Sequence, residues 1–466
     1  MVRSIRAGYG LVMMVAASWC APTPAARGQH GGPIDTSNPA GVLRSRTLDG
    51  SPLDGTNPFF QSLGANGRSC SSCHVPSAGW AITPVEVQQR FVRTAGLDPI
   101  FRLVDGANSP RANVATVAAR SAAYSMLRTK GLIRIGLPIP AGAEFDLVAV
   151  DDPYRYASAA ELSLFRRPMP TTNLRFLTGV MWDARESFAP LGTTPILATA
   201  TPDQNARALL ADLEHQANSA TTGHAQGMDI DQPTRAAIAA FELNHVTAQA
   251  VDQGAGALTA RGGRGGPEVL AEEPFYVTIN DVLGADAMGH PFDPRSMTLY
   301  DAWAGSPNPR RAAIARGASL FGATRIDIAG VGGLNDDLGV ATIRGSCTSC
   351  HDSPNVGNHS VALPIDIGLT EASRRTPDLP LYTLRNRLTG ATRQTTDPGR
   401  ALLTGKWKDV GKFKGPILRG LASRPPYFHN GSAADLGEVV DFYNTRFAIG
   451  FTARERADLV AFLEAL

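Results

Sequence analysis

Apolar residues recur at helical spacing in three stretches of the chain. Pro309-Arg-Arg-Ala-Ala-Ile-Ala-Arg-Gly-Ala-Ser-Leu-Phe321 is one. Asp229 to Phe241 is a second. Arg454 to Leu466 is the third, with Leu459, Val460, Phe462, Leu463 and Leu466 on one stripe and Thr452 placed to cap it. Runs that alternate with period two are scarce, so the pattern predicts a mainly α fold. Gln253 to Pro267 (QGAGALTARGGRGGP) reads as a glycine-rich linker or surface loop, and Glu268 to Asp301 as irregular.

One apolar run is of a different kind. Leu11 to Trp19 follows Arg3 and Arg6 and precedes the small residues of Ala21 to Ala26. That order predicts a secretory signal peptide over residues 1–26 and a periplasmic location. A retained N-terminal anchor is the alternative. Cys20 suggests a lipid anchor, but Trp19 before it fits a small-residue processing site poorly. No other run is long enough to span a bilayer, so no membrane span is expected after cleavage.

Of the five cysteines, one lies in that leader and four lie in two motifs. These are Cys70-Ser-Ser-Cys73-His74 and Cys347-Thr-Ser-Cys350-His351. In C-x-x-C-H, two thiols on one turn form thioethers to the haem vinyl groups, and the adjacent His is set beneath the iron. Every cysteine outside the leader is used in this way, which disfavours a zinc or redox C-x-x-C. Two covalently bound haem c groups follow, with His74 and His351 as proximal ligands. No pair is left for a disulfide, although export would permit one.

The chain has 466 residues, with 44 Lys+Arg against 42 Asp+Glu. Removing the leader takes away two arginines, and haem propionates would make the holoprotein mildly acidic. Nucleic-acid binding is not suggested. The motifs stand 277 residues apart, whereas a small haem domain needs only about a hundred residues. The expected organisation is two cytochrome c-like haem domains with long irregular insertions. The first covers 38–250, a Gly-rich linker and irregular segment covers 251–308, and the second covers 309–466.

Beyond the motifs, Met181-Trp-Asp-Ala-Arg-Glu186, Ile238-Ala-Ala-Phe-Glu242, Arg316-Gly-Ala-Ser-Leu-Phe321 and the long run from Phe413 to Ser432 carry a family resemblance. The chain resembles the bacterial dihaem cytochrome c peroxidases and their MauG-type relatives. The resemblance implies a peroxide-reactive N-terminal haem, an electron-transfer C-terminal haem, and a tryptophan between them. Trp182 matches that tryptophan; a packed core Trp is the plainer reading.

The chain departs from the family pattern in several places. Where the family has a distal Gln and, ten residues on, a Glu, Gln216 and Gln226 have that spacing. An amide cannot shuttle a proton, but His224 can, as acid/base or as a displaceable ligand; a surface-loop His is the alternative. Tyr443 stands where the peroxidases place a Met ligand, as in the MauG-type enzyme. The chain has no Met after Met297, so Tyr443 is the leading sixth ligand of the His351 haem. His359 and His429 are rivals, and a merely packed Tyr443 is the other reading. The family's calcium is possible but not assigned, because Arg167 takes the place of an Asn ligand opposite Gly415 and Pro416. Trp182 and Gln216 are 34 residues apart, farther than in the family, so Ser187 to Arg207 is read as an insertion. Lys406, Lys408, Lys412 and Lys414 form a basic run suited to propionates or an acidic partner, or simply to solvent.

These readings imply an exported peroxidase-family oxidoreductase that reduces hydrogen peroxide with electrons relayed through the C-terminal haem. A small periplasmic cytochrome c or cupredoxin would be the donor. MauG-like or oxygenase-like oxidation of an organic or protein substrate is the alternative, and a non-enzymatic dihaem electron carrier is another.

Overall fold

The computed structural model describes residues 32–53, 55–187, 202–361 and 363–466. The leader reading of residues 1–26, Cys20 included, and most of segment 187–207 lie outside them.

All three helices expected from periodicity are present, as Gln232–Leu243, Pro309–Ala323 and Ala453–Glu464. Each begins where a side chain satisfies the free backbone N–H groups of the first turn. Asp231 accepts from Thr234 N and Asn308 from Arg311 N. Thr452 and Glu455 form a reciprocal capping box. The last two helices pack closely because Gly317 faces the backbone of Asp458. Arg316 clamps Asp458 with two hydrogen bonds of 2.7 Å. Around this pair lies an apolar cluster of Ile314, Phe321, Val440, Leu459 and Phe462, with Tyr300 stacked on Trp303.

The mainly α expectation needs correction. Residues are 33% helical and 17% in strands, and the described residues contain eleven strands. A four-stranded antiparallel sheet joins Ile34–Asn38, Gly41–Thr47, His245–Asp252 and Gly256–Ala257 in that order. A three-stranded sheet pairs Phe145–Asp151 with Leu381–Asn386, and the latter with Thr392–Thr395. Two shorter pairs join Ile133–Leu137 to Leu162–Arg166, and Ile326–Ala329 to Thr342–Gly345.

Two of these strands carry little period-two signal for a physical reason. In Gly41–Thr47 the inward positions Ser45 and Thr47 are polar. Ser45 Oγ bonds Thr247 Oγ1 at 2.7 Å and accepts from Trp80 Nε1 at 2.9 Å. Leu162–Arg166 is buried at every position, so it has no solvent face to reveal alternation.

The sheet containing Phe145–Asp151 and Leu381–Asn386 stitches the two halves of the chain together. Phe145, Leu162, Tyr382 and Leu402 share one apolar cluster. Leu174, Leu213, Val246, Val356 and Ile417 share another. The glycine-rich segment is built into the fold. Gly256–Ala257 closes the first sheet, Leu258 N donates to Ala250 O, and Trp303 Nε1 donates to Ala260 O. Among the described residues no helix is long and apolar enough to cross a membrane.

Gly317→Ala tests the helix contact. Alanine favours a helix by about 1 kcal/mol over glycine, but its methyl would collide with Asp458 O and Phe462. The expected result is net destabilisation of about 1–3 kcal/mol, as for an overpacked core, read as a lower denaturant midpoint.

Candidate active site

The two C-x-x-C-H segments adopt the same turn. Each is a short 3-10 helix, Cys70–Ser72 and Cys347–Ser349. A serine precedes each one, and its backbone N–H donates to the serine three residues on, Ser69 to Ser72 and Ser346 to Ser349, both at 3.0 Å. His74 N then donates to Cys70 O at 3.1 Å, and His351 N to Cys347 O at 3.0 Å. This geometry sets two thiols and one imidazole on the same side of a turn.

The imidazoles are also oriented alike. His74 Nδ1 donates to Trp80 O at 3.0 Å, and His351 Nδ1 to Gly357 O at 2.6 Å. Engaging Nδ1 makes Nε2 the nitrogen available to a metal. Burial pushes both histidines down to about 4, so both rings are neutral at pH 7, as ligation requires.

Each turn opens into its own cavity. The first has a volume of about 470 Å³ and is lined by Cys70, Cys73, His74, Trp182, Gln216 and His224, among others. Gln216 and His224 come from the helix Pro202–Gly223 and the residue just after it. His224 Nδ1 donates to Asp105 at 2.6 Å, and Asp105 is paired with Arg68 at 2.5 Å. Burial raises the Asp105 carboxyl, but His224 and Arg68 outweigh it and hold the group below its ordinary range. Gln226 does not join them. It is exposed, with a left-handed φ of 55°, and accepts from Asn66 Nδ2 at 3.2 Å.

A carboxylate is nonetheless present in this cavity. Glu186, from the Met181–Glu186 run, lines it beside Gln216 and accepts from His215 Nδ1 at 2.6 Å. Spacing along one segment points to an amide at that wall, whereas Glu186 arrives from a different loop. Asp105 and Arg68 carry no sequence signal, since both sit in irregular backbone. Glu242 also lines the cavity, and burial pushes its carboxyl up to about 8.

The second cavity, about 190 Å³, is lined by Cys347, Cys350, His351, Phe413, His429 and Tyr443, among others. Among the described residues no methionine lines it, and His359 is a further wall residue. Both ring nitrogens of His429 are buried without a hydrogen-bond partner, and its ring stacks on Phe413 at 4.2 Å. His429 is therefore as well placed for a ligand as Tyr443. Lys414 also faces this cavity, and burial lowers it to about 8. The lysine run is not one exposed face. Lys412 and Lys414 are buried, and Lys408 pairs with Asp337 at 3.2 Å.

Among the described residues Trp182 alone lines both cavities. Its Nε1 donates to Arg167 O at 2.8 Å, and its own carbonyl accepts from Lys414 N at 2.7 Å. The next residue, Asp183, is fully buried between Arg166 at 2.5 Å and Arg185 at 2.6 Å. Arg166 also reaches Asp397 at 2.7 Å. Burial raises the Asp183 carboxyl, but the two guanidinium charges dominate and keep it ionised. Arg167 spends its guanidinium on the carbonyls of Lys130, Ile82 and Arg424, at 2.9, 2.8 and 3.2 Å.

The residues present fit a haem at each cavity. Each has two thiols free of disulfides, one neutral imidazole and apolar walls. Lys414, and Arg134 with its unpartnered Nε, are buried cations that suit propionates.

No protein-family model matches the chain. Cytochrome-c peroxidase IdrP1 of Pseudomonas sp. (strain SCT) is 33% identical over 150 residues, covering 28% of this chain and 38% of that protein. Cytochrome-c peroxidase IdrP2 of Denitromonas iodatirespirans is 31% identical over 141 residues, with the same coverage of 28% and 38%. Over that stretch the chain is similar to bacterial cytochrome-c peroxidases. It spans 38% of the length of these curated relatives. Among solved structures, a MauG-like protein associated with microbial copper homeostasis is 17% identical, with 92% of this chain and 93% of that chain covered and a TM-score of 0.39. A single-residue variant of the dihaem peroxidase BthA from Burkholderia thailandensis E264 is 15% identical, with 95% of each chain covered and a TM-score of 0.31.

His224→Ala removes the imidazole that both lines the first cavity and is held by Asp105. Acid/base chemistry in this cavity is expected to slow by about 10²–10⁴-fold, the usual share of a positioned acid/base. Gln226→Ala should leave it unchanged. Steady-state assays on both variants check the pair.

Proposed function

We propose that the chain is an exported dihaem c-type oxidoreductase that reduces hydrogen peroxide in the His74 cavity, with electrons entering through the His351 cavity. Two covalently attached haems, on Cys70 and Cys73 and on Cys347 and Cys350, supply the peroxide-reducing and electron-carrying iron when bound. The observation that carries the reading is Trp182, an oxidisable indole that walls both cavities.

The protein's own groups divide the remaining work. His224 donates Nδ1–H to Asp105, which leaves Nε2 to give and take a proton. Gln216 offers an amide to orient a bound oxygen species, and Glu186 is a second proton acceptor at the same wall. Arg166, Asp183 and Asp397 hold the backbone beside Trp182. Periplasmic location follows from the leader, and a small cytochrome c or cupredoxin donor from the family resemblance.

One observation favours a second reading. The second cavity offers Tyr443 and His429 but, among the described residues, no thioether. Held by Tyr443 or His429, a haem iron there would favour Fe(III) more than one held by a thioether. That suits MauG-like oxidation of an organic or protein substrate.

Optical and electron paramagnetic resonance spectra of the purified protein decide between an enzyme and a carrier. One high-spin and one low-spin haem are expected, with rapid spectral change on adding peroxide. Two low-spin haems inert to peroxide would overturn the proposal. Reduced cytochrome c as donor then separates peroxide removal from substrate oxidation. Trp182→Phe should slow donor-dependent turnover while leaving both resting spectra intact. Tyr443→Phe and His429→Gln identify the sixth ligand, since only the ligand's loss shifts the low-spin signal.

A further inference from the structure

We infer that Asp281, Asp352 and His359 form a site for one divalent first-row cation of the zinc or manganese kind, set behind the His351 turn. Nothing in the peroxidase reading requires it, and it does not rest on that reading.

The three side chains come from segments far apart in sequence. Asp352 directly follows His351, His359 closes the same loop, and Asp281 comes from the irregular stretch before the second half. Tertiary contacts fix them together. Asn280 Nδ2 donates to Asp352 O at 3.0 Å, and Thr278 N to Ser360 O at 3.1 Å. All three are buried, with 1%, 0% and 4% exposure for Asp281, Asp352 and His359. One ligand atom from each lies within 4.8 Å of the others.

Hydrogen bonding explains why these atoms point at one another. Ser360 N donates to Asp352 Oδ1 at 2.6 Å, and Ala285 N to Asp281 Oδ2 at 2.9 Å. The second oxygens, Asp352 Oδ2 and Asp281 Oδ1, have no partner, and neither has either nitrogen of His359. Among the described residues neither carboxylate is paired with a lysine or arginine. His359 Nδ1 stands 3.2 Å from Asp352 Oδ2 without hydrogen-bond alignment. Ligands about 2.0–2.1 Å from a shared tetrahedral ion lie about 3.3 Å apart. The spacing is that of two ligands on one ion.

Donor chemistry narrows the ion. One imidazole with two carboxylates suits zinc, manganese or ferrous iron, whereas calcium and magnesium take all-oxygen sets. Two buried carboxylate oxygens facing each other repel unless a cation or a proton lies between them. In this arrangement His359 Nδ1 is committed to the cation, which leaves Tyr443 and His429 as the candidates for the sixth ligand. By neutralising the two carboxylates beside His351, the cation would also favour the reduced state of the group held there relative to the empty site.

Metal analysis of the purified full-length holoprotein tests the site, with iron counted against haem by its pyridine haemochrome. One non-haem cation per chain is expected. Its loss is expected in Asp281→Asn, with both haems retained. Wild-type protein stripped by chelator and titrated with Zn²⁺ should take up one equivalent calorimetrically and melt at a higher temperature. Stripped wild type that binds no Zn²⁺ would overturn the proposal and assign the cluster to a shared proton. Equal metal in wild type and Asp281→Asn would overturn it too, by placing the ion elsewhere. If Asp281→Asn does not fold, His359→Gln and the wild-type titration discriminate the same two outcomes.

Discussion

The arrangement depends on a set of four charges, three of them buried. Arg166 lies between Asp183 and Asp397, and Arg185 completes the neutralisation of Asp183. Their charges sum to zero, which is the condition for keeping ions out of water. Arg166 ends a strand of the first half and Asp397 lies in the second, so the cluster binds the halves across their junction. Asp183 is next to Trp182, and the cluster therefore fixes the backbone that carries the indole between the cavities. Met181 and Ala184, with φ of 68° and 54°, flank it in left-handed conformations that only a rigid surrounding sustains.

Given that wall, two nearly identical turns acquire different environments. The Ser-Cys-x-Ser-Cys-His segments share their caps, their carbonyl partners and their neutral imidazoles. What differs is the packing beyond. The first cavity is met by Arg68, Asp105, Glu186, Gln216 and His224, groups that move or hold protons. The second is met largely by apolar side chains such as Phe321, Phe413, Leu418 and Val440, with Tyr443, His429, His359 and Lys414 among its polar members. A polar, roomier cavity suits bond-making at an iron, and a close apolar one suits electron transfer. The asymmetry arises from tertiary packing, since the local motifs are alike.

The legible parts of the fold were those with local physical causes. Amphipathic helices with capping residues at their starts, such as Thr452 and Glu455 at the start of Ala453–Glu464, declare themselves within a dozen residues. Strands such as Gly41–Thr47 and Leu162–Arg166 were hidden because the first turns serine and threonine inward and the second is buried at every position. The glycine-rich segment looked like a linker for a related reason. Its glycines serve close approach, as at Gly263 against Trp303 and Gly265 against Tyr300, and composition alone cannot distinguish close approach from looseness.

The candidate site divides in the same way. Cysteine and histidine placement by itself marked both C-x-x-C-H turns and the two histidines proposed as proximal ligands, because such a motif is contained within five consecutive residues. Trp182 was marked by its run and His224 by its chemistry. Only the tertiary structure decided that Gln226 lies outside the cavity, that Glu186 and Asp105 lie against it, and that His429 rivals Tyr443. It alone gathered Asp281, Asp352 and His359. A covalent or helical constraint acts over a few residues and is written in order along the chain. A cavity wall is assembled from distant segments, so its members are settled by packing.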